Sequence, residues 1–254
     1  MSVPIRAMTL SEILDQSFKL LRSQFALLVA IAAVLYVPMS VLPALFLDFE
    51  PGTVPGPSFW ITYAVILLIA LVGLPWSQLA ITWAISESAL GRTCTFGDAY
   101  GETQSRYLPY VGTWLLASLG IVVGMFLLIL PGIYLAVLWM PVGAVVVIDG
   151  LSGPAALGRS RDLVSGSWWR AFGVALVAGI ITTVVGGGFN WMFGFIPVVG
   201  PLLNGLVGAV TFAFYAVVVV VLYFDLRCRH EDFDLQLLAD AIGSEVDSRP
   251  VGAL

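Results

Sequence analysis

The chain keeps its positive charge out of three long stretches. No Lys or Arg occurs between Arg22 and Arg92, between Arg106 and Arg159, or between Arg170 and Arg227. Those gaps hold nearly all of the long apolar runs. A soluble domain carries about 25% charged residues; here the charged share is 11%, and 59% of the 254 residues are hydrophobic. Lipid must therefore be the solvent for most of the surface. A net charge of −5 argues against nucleic acid, whose binding needs a basic face.

The uncharged runs count the crossings. Between Arg22 and Asp48 lie 25 uncharged residues, enough for one helix; about 20 residues span a bilayer core. Between Glu50 and Glu87 lie 36, of which the first part, PGTVPGPS, is rich in turn formers. Between Arg106 and Asp149 lie 42, split by Pro131-Gly132, and this reads as a helical hairpin. Between Arg170 and Asp225 lie 54, broken by NWMFGFIPVVGP, which again makes two crossings. The expectation is an all-α, polytopic membrane bundle with six transmembrane helices, at 25–47, 61–85, 108–130, 132–148, 170–189 and 200–223. Residues 1–224 form the membrane domain and 225–254 a cytoplasmic tail.

Six crossings place both termini on one side. That side then holds Arg6, Lys19, Arg22, Arg92, Arg106, Arg159, Arg161, Arg170, Arg227, Arg229 and Arg249. The other side holds only Asp48 and Glu50. Basic loops stay in the cytoplasm during insertion, so the expected location is the cell membrane with both termini inside. The opening, MSVPIRAMTLSEILDQSFKLL, is amphipathic and charged, unlike a cleavable signal sequence. Cys94 and Cys228 fall on the cytoplasmic side, where thiols stay reduced, and neither has metal-site spacing.

Three segments have the look of interfacial helices. Thr9 to Phe25 spaces Leu10, Ile13, Leu14, Phe18, Leu21 and Phe25 along one face, and Thr9 with Glu12 has capping-box spacing. With no soluble domain to cover it, that apolar face is expected to lie in the membrane surface. A second runs from Thr95 to Arg106, with Asp98 three residues after the Thr; a third starts at Ser152, with Pro154 close behind. Eight residues after these starts come Ser17, Thr103 and Ser160. A threefold repeat of interfacial helix plus hairpin is one reading, and chance similarity is the other.

The C-terminal run YFDLRCRHEDFDLQLL, Tyr223 to Leu238, resembles the end of a bacterial and archaeal family, the glycerophosphoryl diester phosphodiesterase membrane domain. That family shows two aromatics, Asp-Leu-Arg, an intervening residue, Arg, then Glu-Gly-Phe-Asp. Tyr223, Phe224, Asp225, Leu226, Arg227, Arg229, Glu231, Phe233 and Asp234 match, and Asp232 replaces the Gly. Leu130 to Gly150 resembles the family's Pro-Gly hairpin and following span, with Asp149-Gly150 in place of Glu-Gly. Ala155 to Gly173 is similar to its Arg-Ser-x-x-Leu-Val-x-Gly-x-Trp-Trp region. The resemblance implies a six-span membrane domain without the catalytic barrel, and no established activity.

The residues themselves offer no reactive set. His230 is the single histidine. Glu12 with Asp15 and Asp232 with Asp234 are paired carboxylates by spacing only, in wet surroundings. Ionisable residues inside a membrane mark transport or proton relay, and here Glu87, Asp149 and Asp225 all sit at cytoplasmic ends. The embedded polar residues are Gln78, Thr182, Thr183, Asn190 and Asn204, which read first as hydrogen bonds between helices. No catalytic, cofactor or metal residues are assigned. Arg159, Arg161, Asp225, Arg227 and Arg229 form a candidate structural or lipid-headgroup cluster. Asp225 should pair with an Arg, with Arg161 or Arg159 foremost. The expectation is a non-catalytic scaffold, accessory subunit or lipid-interacting component, with a small-solute or lipid transporter or channel as the alternative. Its partners are the lipid bilayer and either a membrane protein or a second copy of the chain.

Overall fold

The computed structural model describes residues 8–46, 56–89, 91–197 and 199–231. Among these every regular element is a helix, and six helical segments are long and apolar enough to cross a membrane: Phe25–Phe46, Pro57–Ser88, Phe96–Leu127, Ile129–Asp149, Trp168–Phe193 and Val199–Glu231. The chain is a multi-pass helical bundle. Arg6, Asp48, Glu50, Asp232, Asp234 and Arg249 lie outside the described residues.

Helix α1 (Leu10–Ser23) opens as its sequence indicates. The Thr9 hydroxyl accepts the Glu12 N–H at 3.3 Å, and the Glu12 carboxylate accepts the Thr9 N–H at 2.7 Å. Its apolar face does not go to the membrane surface. Ile13, Leu20 and Leu21 are buried against the bundle, and Ser17 joins them by donating its hydroxyl to the Ile13 carbonyl at 2.7 Å. Phe18 is left 59% exposed. The protein itself covers this helix, because the segments Trp168–Phe193 and Val199–Glu231 come up beside it.

Gln24 breaks the chain between α1 and α2 (Phe25–Phe46). Helix α3 (Pro57–Ala89) follows, then α4 (Phe96–Leu127), capped by a second box in which Thr95 and Asp98 exchange bonds at 3.3 and 3.0 Å. The interfacial helix expected at 95–106 is not separate. It runs without interruption into the third span, with Pro109 inside the helix. The following hairpin turns at Leu128, which is extended (φ −161°, ψ 139°), rather than at Pro131-Gly132. Those two residues sit in the first turns of α5 (Ile129–Leu138), where the missing proline N–H costs little. Gly132 lets the two arms close: a Cβ there would lie 2.7 Å from the Met125 backbone nitrogen.

Pro141 cannot donate, and α5 stops at Leu138. A short helix α6 (Val142–Ala144) and a π-helical turn, Val145–Asp149, complete the span before Gly150 reverses the chain at φ 71°. Helix α7 (Gly153–Ser165) is the third expected interfacial helix, with Pro154 in its first turn but no side-chain cap from Ser152. It lies along the α4–α5 hairpin: the Gly153 N–H donates to Thr113 Oγ1 at 2.6 Å and Ser160 Oγ to the Leu138 carbonyl at 2.7 Å. Helices α8 (Trp168–Phe193) and α9 (Val199–Glu231) pack antiparallel, with Asn204 donating to Asn190 at 2.9 Å near one end. The boundary expected at 224/225 falls inside α9, which continues unbroken to Glu231. Glycines bring α2 against α9, since a Cβ on Gly205 would lie 2.8 Å from Val37 Cα.

Candidate functional site

The end of α9 gathers the charged groups into two linked nodes. The first is built on Asp225, which is fully buried. Its Oδ1 accepts the backbone N–H of Met8 at 2.6 Å, and its Oδ2 accepts Arg170 Nε at 2.8 Å. Arg229, one turn further along α9, reaches both oxygens at 3.2 Å. Arg170 and Arg229 also donate to the Met8 carbonyl, the latter at 2.8 Å. The backbone of Met8, ahead of α1, is thus bracketed by a carboxylate at its N–H and two guanidinium groups at its C=O. A carboxylate near the negative end of a helix dipole, out of water, needs such compensation.

Asp225 pairs with arginine as expected, but with Arg170 and Arg229 rather than with Arg161 or Arg159. Arg161 is exposed and pairs with no acid among the described residues. Arg159 turns instead to the second node, where it pairs with Asp149 at 3.2 Å and with Glu231. The reason is the face of α9 that each helix meets. Tyr223, Arg227 and Glu231 recur every four residues on the side of Asp149 and α7, whereas Asp225 and Arg229, offset by two residues or about 200°, face α8 and Met8.

In the second node Tyr223 donates its hydroxyl to Asp149 Oδ1 at 2.7 Å, and Arg227 lies 3.6 Å from the same oxygen. Arg227 also meets Glu231 at 3.1 Å and stacks over the Tyr223 ring at 5.8 Å. The hydrogen bond donated to Glu231 holds the Arg159 guanidinium above its ordinary pKa, with burial acting the other way. Nearby, Arg106 donates to the Val147 carbonyl in the π-helical turn and packs over Trp83 at 5.4 Å. Asp225, Arg227, Arg229 and Arg159 therefore share one end of the bundle, and each is held by another protein group.

Sequence reading missed Arg170 and Met8. Arg170 was visible as the cation that follows two tryptophans, four residues after Gly166. Met8 contributes only backbone atoms, so no residue type could have marked it.

A half-open cleft of about 430 Å³ lies between α2, α3, α4, α5 and α9, lined mainly by Tyr36, Tyr110, Trp114, Trp139, Phe212 and Tyr215, with Gln78. A second cleft of about 310 Å³ shares Tyr36, Phe212 and Tyr215 and adds Thr182, Thr183 and Thr211. Of the embedded polar residues, Asn190 and Asn204 bond each other and Thr182 bonds its own helix, while Gln78 and Thr183 line these spaces. Among the described residues no group of three His, Cys, Asp or Glu side chains could hold a metal ion.

No curated protein and no solved structure matches the chain. A family model matches residues 107–248, from within α4 to beyond the end of α9, and so takes in both nodes apart from Met8. That stretch is more than half of the chain, and the chain belongs to the family the model describes, a domain of unknown function (DUF8558).

Proposed function

We propose that the chain is a non-catalytic integral protein of the cell membrane, with both termini in the cytoplasm, that serves as a scaffold, accessory subunit or lipid-interacting component. The observation that carries this reading is the charge clasp. Its arginines and carboxylates are spent on one another, joining the residue before α1 to α7, α8, α9 and the π-helical turn. A device of this kind stabilises a frame; it does not present a reactive group. The same frame is what the resemblance to the glycerophosphoryl diester phosphodiesterase membrane domain would share. Purification of a tagged chain in mild detergent tests the reading. A membrane protein or a second copy retained in stoichiometric amount supports it. A lone chain that also retains no lipid counts against it.

A second reading, a small-solute or lipid transporter or channel, is favoured by the half-open cleft. Polar side chains line this cleft and its neighbour between the helices, as a solute path requires. Proteoliposome uptake assays separate this reading from the first.

A further inference from the structure

The half-open cleft between the helices has a chemistry of its own. Tyr110 is only 4% exposed, and its hydroxyl makes no hydrogen bond among the described residues. The side chain of Gln78 makes none either. The two converge at Gly143: a Cβ there would lie 3.3 Å from the Tyr110 hydroxyl oxygen and 3.6 Å from Gln78 Cγ. The missing side chain of Gly143 leaves room beside the Tyr110 hydroxyl and the Gln78 side chain. In a bundle surrounded by lipid, polar groups without partners are costly, so buried ones are met by protein, water or ligand. A purely hydrocarbon occupant would leave both unmet. An anion would find no cation, because no residue lining the cleft is charged.

Six aromatic rings dominate the lining. The face of an aromatic ring carries partial negative charge and attracts a cation, most strongly for Trp. The uncharged, ring-lined wall with hydroxyl and amide groups at one place suits a compact cation that carries a hydroxyl. We propose that this cleft binds a small organic cation, an alkylammonium group held among Tyr36, Tyr110, Trp114 and Trp139, with Tyr110 and Gln78 taking its polar tail. The cleft bearing Thr182, Thr183 and Thr211 shares three lining residues with this one. Binding is independent of both functional readings above, since neither a scaffold nor a carrier is required for it.

The test is equilibrium binding to the wild-type chain in lipid nanodiscs, read by calorimetry and by tryptophan fluorescence. The probes are choline and 3,3-dimethylbutan-1-ol, which differ in having nitrogen with its charge or neutral carbon at the same place. Choline should bind about tenfold more tightly, in line with one or two ring contacts to a desolvated cation. Trp139→Leu and Trp114→Leu should each weaken choline severalfold. Tyr110→Phe keeps the ring and removes the hydroxyl, so it should weaken choline and leave tetramethylammonium unchanged. Equal affinity for the two probes overturns the proposal, as does absence of saturable choline binding. So does undiminished binding in both tryptophan variants. If those variants fail to fold, the wild-type comparison decides alone.

Discussion

Asp225 and Arg170 are separated by 55 residues, yet they make the strongest test of the clasp. Removing one partner of a buried pair leaves an uncompensated charge and costs about 3–5 kcal/mol. Asp225→Ala strands two guanidinium groups and frees the Met8 N–H, so it should sharply reduce the fraction of chain that elutes as a single species after heating. Arg170→Ala should do much the same, and the double variant should be far less damaging than the two losses together. Additive losses would mean that the pair is not coupled. By contrast Lys19 and Asp15, bonded at 2.6 Å but both well exposed, should contribute almost nothing. Cys94 tests a different local environment. Partial burial, then the charges of Asp98 and Glu87, raise its pKa. A raised thiol pKa means less thiolate at neutral pH, so alkylation by iodoacetamide should be slow at pH 7. The midpoint of its rate against pH should lie above about 8.5, where an ordinary thiol is half ionised. Mass spectrometry of the labelled chain gives the rate; a midpoint at or below that pH would contradict the burial argument.

At the scale of the element, local signals were read correctly where one turn of chain decides the outcome. Thr9 with Glu12 and Thr95 with Asp98 both cap helices, because each needs only four consecutive residues. Ser17, Thr103 and Ser160 are all fully buried, so the eight-residue spacing has structural content. Yet the first two bond the carbonyl four residues back and the third bonds Leu138. Signals that depend on neighbours were misread. Pro131-Gly132 looked like the hairpin turn, but proline is tolerated early in a helix and Gly132 serves close packing. The apolar face of α1 looked like a membrane anchor because the sequence does not show that α8 and α9 stand beside it. That difference has a measurable consequence. Ile13→Asp buries a carboxylate without a partner and should cost several kcal/mol or abolish folding. Phe18→Asp, at a 59% exposed site, should leave thermal stability within about 1 kcal/mol. Equal damage from both, measured by thermal unfolding in detergent, would restore the membrane-surface placement.

For the whole molecule, alternating charge and hydrophobicity revealed the class of fold, because lipid exposure leaves a signature in every span. It could not reveal which arginine meets which acid, since that depends on which face of α9 each of α7 and α8 meets. The same geometry bears on orientation. Arg106, Arg159, Arg170, Arg227 and Arg229 are tied to one end of the bundle through Val147, Asp149, Asp225 and Glu231. Arg22 and Arg92 line one shared cleft. The opposite end of α8 and α9, around Phe195, carries no basic residue among the described residues, so basic-side retention predicts that it faces outward. A cysteine in place of Phe195, which is 77% exposed, should react with an impermeant thiol reagent added to intact cells, whereas Cys94 and Cys228 should not. The hairpin tip should behave differently from both ends. Phe126, Leu127, Leu128, Ile129 and Leu130 are all strongly exposed and apolar. Tyr134, only six residues past Leu128, stacks on Trp168 at the start of α8, 5.6 Å between ring centroids. Helix α8 then runs on for about 38 Å at the usual helical rise. The tip is therefore kept near the charged end of α8 with a greasy surface that only lipid can cover, and a cysteine at Leu128 should resist impermeant reagents from either side. Labelling of Cys228 from outside would reverse the orientation, and ready labelling of position 128 would place the tip in water.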